Sequence, residues 1–136
     1  MLRPETKARA RALQILYSME VGHGTLDEAV TRLARLTGPD PNVYDGAEAL
    51  ATSVLTERDD LDRHAADAAE NWRLERIAPV ERNILRIGVH ELLKGEVPPK
   101  VAIDEAVQLA HWFGGAKAPS FVNGVLDRVA HSLGRL

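Results

Sequence analysis

Five histidines, a lysine-bearing glycine loop and two groups of aromatic and basic residues are the side chains here whose spacing bears on chemistry. "HELLK", His90–Lys94, begins as a zinc-protease helix does. Its fifth position is Lys94, so the second imidazole is missing. His23, His64, His90, His111 and His131 include no pair at i,i+3 or i,i+4, the spacing that brings two imidazoles onto one helix face. "GGAKAPS" lacks both the glycine directly before Lys117 and the hydroxyl residue after it, so it is no phosphate loop. There is no G-x-S-x-G and no dinucleotide fingerprint. Zero cysteines exclude a disulfide framework and thiolate chemistry. The expectation is a protein that is not an enzyme and takes no metal and no cofactor.

Binding chemistry is better represented. On a helix, Lys7, Arg11, Gln14 and Ser18 fall within an arc of about 60°, about 120° from the centre of the apolar stripe. Arg3 joins them if the helix begins that early, Tyr17 lies beside them, and Arg9 lies on the far border of the core. Cations for phosphates and a π-face for a splayed base are what single-stranded RNA requires. The same residues also fit a solvated helix face carrying a half-buried tyrosine.

Near the other end, "SFVNGVLDRV" sets Phe121 about 100° from the stripe of Val122, Val125, Leu126, Val129 and Leu133. Phe121 either faces a ligand or plugs the joint between the last two helices. Gly124 costs about 1 kcal/mol relative to Ala within a helix, a cost expected where backbone or ligand approaches closely. Trp112 points away from the stripe of Ile103, Ala106, Ala110 and Phe113. It reads as a stacking platform, a protein contact or a cover for its own helix.

The elements that would position these groups are all helical, because Val and Ile recur at spacings of three and four, not two. A first helix is expected from Pro4 to Val21, with Ala8, Ala12, Ile15, Leu16 and Met19 inward. "TLDEAVTRLARL" opens with a capping box, Thr25 to Glu28, and puts Leu26, Val30 and Leu33 in register. After the "GPDP" turn, Val43, Ala47, Leu50, Ala51, Val54 and Leu55 continue for three turns, and "DDLDRHAADAA" adds a further helix. "ENWRLERIAPVER" is the expected joint between two halves, since Pro79 suits the first turn of a new helix. "VERNILRIGVHELL" is apolar on most sides and belongs in the middle of a bundle. Gly95 can cap it, and "VPP" forces an extended link. Ile103 to Phe113 forms the next helix, and the last begins near Pro119 or Ser120. The fold class is therefore all-α: six or seven helices in two halves, about 1–70 and 71–136, of a single domain.

The chain of 136 residues, 45% of them hydrophobic, is long enough for one packed domain and too short for two ordinary ones. No run approaches the roughly 18 apolar residues of a membrane span, and the start has no apolar h-region. A cytoplasmic protein with no membrane partner is expected. Net charge is −3, yet residues 1–12 carry four basic residues against one acid, leaving 13 basic and 19 acidic residues for the rest. A basic end on an acidic body can be an electrostatic footprint for phosphate, or simply a solvated face.

Four segments then make a specific pattern: "KARARALQILYSME", "RIAPVERNILRIGVHELL", "VPPKVAIDEAVQLAHWFG" and "FVNGVLDRVA". Their order and spacing over residues 7–21 and 72–130 resemble the NusB family of bacterial transcription antitermination factors. The resemblance implies an all-helical RNA-binding adaptor that recognises boxA of ribosomal-RNA leader transcripts together with NusE, a small-subunit ribosomal protein. It also implies entry into the RNA polymerase antitermination complex with other Nus factors, and it leaves room for a homodimer. Lys7, Arg9 and Tyr17, with Arg11 on the same basic segment, correspond to the family's amino-terminal RNA-binding region. Lys117 and Phe121 correspond to its second RNA contact, and Glu81 to the stretch that meets NusE. This sequence departs from the family in a thinner arginine run, "RPETKARAR", in His90 for a common tyrosine, in Asp104 for a frequent asparagine, and at His111 and Trp112. The alternative is a NusB-like domain of an rRNA methyltransferase. It is disfavoured here because no α/β cofactor-binding domain is present and the chain starts at a methionine.

Overall fold

The computed structural model describes residues 2–69 and 73–136. Among these there are six α-helices, one 3-10 turn and no strand. The helices are α1 (Pro4–Gly22), α2 (Leu26–Thr37), α3 (Pro41–Ala68), α4 (Pro79–Lys94), α5 (Pro99–Phe113) and α6 (Ala118–Ser132). The 3-10 turn is Leu74–Arg76. The chain divides into two compact units, Met1–Thr56 and Glu57–Leu136, so the division falls within α3. The joint read from "ENWRLERIAPVER" begins with residues 70–72, which lie outside the described residues.

In the first unit α1 packs on α2. Ala8, Ala12, Ile15 and Leu16 are buried as their spacing predicts, joined by Ala10 and Leu13, whereas Met19 is half-exposed. Burying a side chain such as Ile15 or Leu13 contributes about 1.5–3 kcal/mol. α1 ends at His23, a non-glycine residue in the left-handed region with φ 56°. The capping box is present: the Glu28 amide donates to Thr25 Oγ1 at 3.2 Å, and the Thr25 amide donates to Glu28 Oε1 at 3.1 Å. The Thr25 backbone bond, then the Thr25 side chain, hold the Glu28 carboxyl below its usual range. Leu26, Val30 and Leu33 are only half-buried, and Ala29 is the residue α2 fully covers. Asp40 starts α3, its Oδ1 accepting from the Asn42 amide at 3.0 Å, with Pro41 in the first turn.

α3 is one helix where the sequence reading expected two. No glycine or proline interrupts "LTERDDLDRH", and the buried positions Ala47, Ala51, Val54, Leu61 and Ala65 keep one register throughout. Of the acids in this stretch Asp59 and Asp60 are solvated, whereas Glu57 and Asp62 are half-buried. Leu50 and Leu55, expected inward, are half-exposed and exposed respectively.

In the second unit α4 packs on both α5 and α6, which pack on each other. The central place expected for α4 is thus its place within this unit. Ile84, Leu85, Ile87, Val89 and Leu92 are buried, while Val80 and Leu93 are half-buried. Its remaining side is buried and polar. Arg86 donates from Nε and Nη2 to the two Asp62 oxygens at 2.7 and 2.9 Å, and from Nη1 to Asn83 Oδ1 at 3.1 Å. His90 Nδ1 lies 2.9 Å from Glu57 Oε1. The imidazole that suggested a metal helix is occupied with a carboxylate, and among the described residues no cluster of three His, Asp or Glu could hold a metal ion.

Gly88 sets the α4–α6 spacing. A Cβ there would lie 2.5 Å from Leu126 Cδ1, a fully buried side chain. Gly95 caps α4 at φ 70°, as expected. α5 starts at Pro99, four residues before Ile103: Pro98 is extended, and Pro99 takes the first-turn position that tolerates proline. α6 starts at Ala118, and Arg128 Nε donates to the Ala68 carbonyl at 2.6 Å. No helix of the described residues is long and apolar enough to cross a membrane.

Candidate functional site

Each unit presents one candidate face. In the first, Lys7, Arg11, Gln14 and Ser18 are all partly exposed and Tyr17 is 39% exposed, so the ridge expected from the helical wheel exists on α1. Arg11 Nη1 donates to Gln14 Oε1 at 2.8 Å, which holds the guanidinium along the helix. Arg32 of α2 donates from Nη1 to Ser18 Oγ at 3.0 Å, adding a cation that the sequence reading missed. Only the packing of α2 on α1 brings it there. Arg9 is 9% exposed and presents little of its charge to solvent.

In the second unit a cleft of about 250 Å³ is lined by Arg76, Ile77, Glu81, Lys117, Ala118 and Phe121, among others. Ile77 and Ala118 are buried, Phe121 is half-buried, and Arg76 and Lys117 are exposed. The cleft thus has an apolar floor, an aromatic wall and cations at its edge. Its volume is below the roughly 300–1,000 Å³ of ligand and cofactor cavities, so it suits one ring system with the remainder of a ligand outside. Phe121 is neither core nor fully exposed: it forms a wall.

The cleft is shaped by the turn between α5 and α6. The Gly114 amide donates to the Ala110 carbonyl at 2.9 Å, and the Gly115 amide donates to Glu81 Oε1 at 3.2 Å. A Cβ on Gly114 would lie 2.6 Å from Ala118 Cβ and 2.9 Å from the Ala110 carbonyl oxygen, so only glycine fits. Glu81 therefore fastens the turn that carries Lys117. The 3-10 turn is held in a similar way, with Arg82 Nη1 donating to the Ile77 carbonyl at 3.0 Å.

Two expectations need correction. A Cβ on Gly124 would meet only the Arg128 guanidinium, at 3.7 Å, so no neighbouring backbone explains that glycine. Phe113, counted among the core residues of α5, is 37% exposed and stands edge-to-face with Trp112, itself 41% exposed, their centroids 6.5 Å apart. Phe113 is the last residue of α5, beyond the buried Leu109 and Ala110. Arg76 and Ile77 were not singled out, because neither the 3-10 turn nor its neighbourhood with α6 leaves a periodic signal.

The fold and these faces define an all-α protein of two helical units, each setting cations beside an aromatic ring. Residues 6–131 match the NusB family model, and the chain belongs to the NusB family. It is 43% identical over 129 residues to the transcription antitermination protein NusB of an Anaeromyxobacter species, covering 94% of this chain and 90% of that relative. The fold is similar to that of T. maritima NusB, with TM-score 0.84 and 28% identity over 96% of this chain and 93% of that one. It is also similar to a chain in the structure of antitermination factors NusB and NusE in complex with dsRNA, with TM-score 0.85 and 25% identity over 97% and 99%.

Proposed function

We infer that this chain is an RNA-binding transcription antitermination adaptor that recognises boxA of rRNA leader transcripts together with NusE, acting in the cytoplasm within the RNA polymerase antitermination complex. The observation that carries the reading is the cleft of the second unit, where Phe121 supplies a π-face and the exposed cations Arg76 and Lys117 also form part of the lining. Lys7, Arg11 and Tyr17 supply the same chemistry on α1, and Arg9 joins them if it is drawn outward by phosphate. The similar solved structure that contains NusB, NusE and dsRNA supports the partner set. Glu81 is assigned to the NusE side of the site while it holds the Gly115 amide. The methyltransferase-domain alternative is not favoured, since relatives spanned nearly end to end are antitermination proteins.

A fluorescence-anisotropy titration of boxA-type RNA tests this. Weak binding alone and tighter binding with NusE are expected. Phe121→Ala should weaken RNA binding about tenfold, the scale of one lost base–aromatic stack, without loss of the cooperative thermal transition. Equal binding of unrelated RNA, with and without NusE, overturns the reading.

A further inference from the structure

Within the second unit, the solvent-facing pair Trp112–Phe113 is the feature that neither the core nor the cleft accounts for. Two adjacent large rings, each about two-fifths exposed, stand at the last turn of α5 in a chain with 4% aromatic residues. Their planes stand at 88°, the edge-to-face arrangement in which each ring limits the other's rotation. The pair adjoins the cleft through the chain itself. Phe113 is followed by Gly114, where an added Cβ would lie 2.6 Å from Ala118 Cβ and 3.3 Å from Glu81 Oε1. Both residues line the cleft.

We propose that Trp112, braced by Phe113, is a second stacking platform that takes an unpaired base of the RNA whose neighbouring base enters the Phe121 cleft. The proposal rests on the RNA-binding reading given above. The surroundings favour RNA over an apolar protein partner. On the same helix Asp104 and His111 are exposed and Gln108 partly so, so the rings are an isolated aromatic step and not the centre of an apolar patch. Lys117, four residues beyond Phe113, is exposed and free to meet the phosphate between two stacked bases. Stacking on a ring is tolerant of base identity, so the step lengthens the RNA footprint and leaves its sequence preference to other contacts.

The test uses the full chain with saturating NusE and boxA-type RNA. Trp112→Ala is expected to weaken RNA binding about tenfold, with Trp112→Phe restoring most of it and the salt slope unchanged, because a ring carries no charge. In a Trp72→Phe background Trp112 is the sole indole, and single-stranded RNA should quench its fluorescence whereas NusE alone should not. Unquenched Trp112 fluorescence, or Trp112→Ala affinity within twofold of the parent while Phe121→Ala still weakens binding, overturns the platform and leaves the function standing. Weaker NusE capture by Trp112→Ala in the absence of RNA makes the pair a protein contact and overturns it too. Failure of the parent chain to prefer boxA-type RNA overturns the function, and the platform with it.

Discussion

Arg86 lies with its side chain 10% exposed, and it is tolerated there because two Asp62 oxygens and Asn83 satisfy its fork of donors. Taking Asp62 away would leave a buried charge short of its counter-ion, which costs far more than the intact pair contributes. Asp62→Ala should therefore lower stability by about 3 kcal/mol, or about 10 °C in melting temperature for a chain this size. Asp59 offers the control three residues earlier on the same helix. Its side chain is 99% exposed and 4.0 Å from Arg58, so Asp59→Ala should stay within about 0.5 kcal/mol of the parent. Thermal denaturation followed by circular dichroism separates the two. At this scale the sequence was a partial guide. The angle of Phe121 off its stripe was readable, since it depends on helical geometry alone. The bond from Gly115 to Glu81 spans 34 positions, and nothing local announces it.

Helix to helix, two glycines should respond to the same substitution with opposite sign. Gly88→Ala gains about 1 kcal/mol of helix propensity but drives a methyl into Leu126, and overpacking a filled core costs about 1–3 kcal/mol. A net loss of about 1 kcal/mol is expected. Gly124→Ala meets only a flexible guanidinium and should gain about 0.5–1 kcal/mol. Urea midpoints of the two variants on either side of the parent would bear this out, and a stabilised Gly88→Ala would mean that Leu126 can move. The sequence allows backbone or ligand near Gly124, because a wheel shows which way a residue points and not what stands opposite; of the two, the backbone is absent. Strong periodicity and caps did place α1, α2, α4, α5 and α6 to within a few residues. The continuity of α3 was not legible in the same way, although its inward positions Ala47, Ala51, Val54, Leu61 and Ala65 keep one register.

At the scale of the molecule, a net charge of −3 coexists with cationic positions at Lys7 and Arg11 on α1 and at Arg76 and Lys117 by the cleft. Binding to a phosphate backbone should depend on salt only through the few cations engaged. Lys7→Gln and Lys117→Gln should each flatten the plot of log affinity against log salt by about 0.7, the value for one single-strand phosphate. An unchanged slope would remove that lysine from the interface. The spacing of apolar residues made the all-α class legible, whereas the cleft includes a turn tied to a helix far away in sequence. That tie has a kinetic meaning. With the Gly115 amide already held by Glu81, the turn has little freedom left to surrender when an oligonucleotide arrives, so ligands that fit it differ mainly in how long they stay.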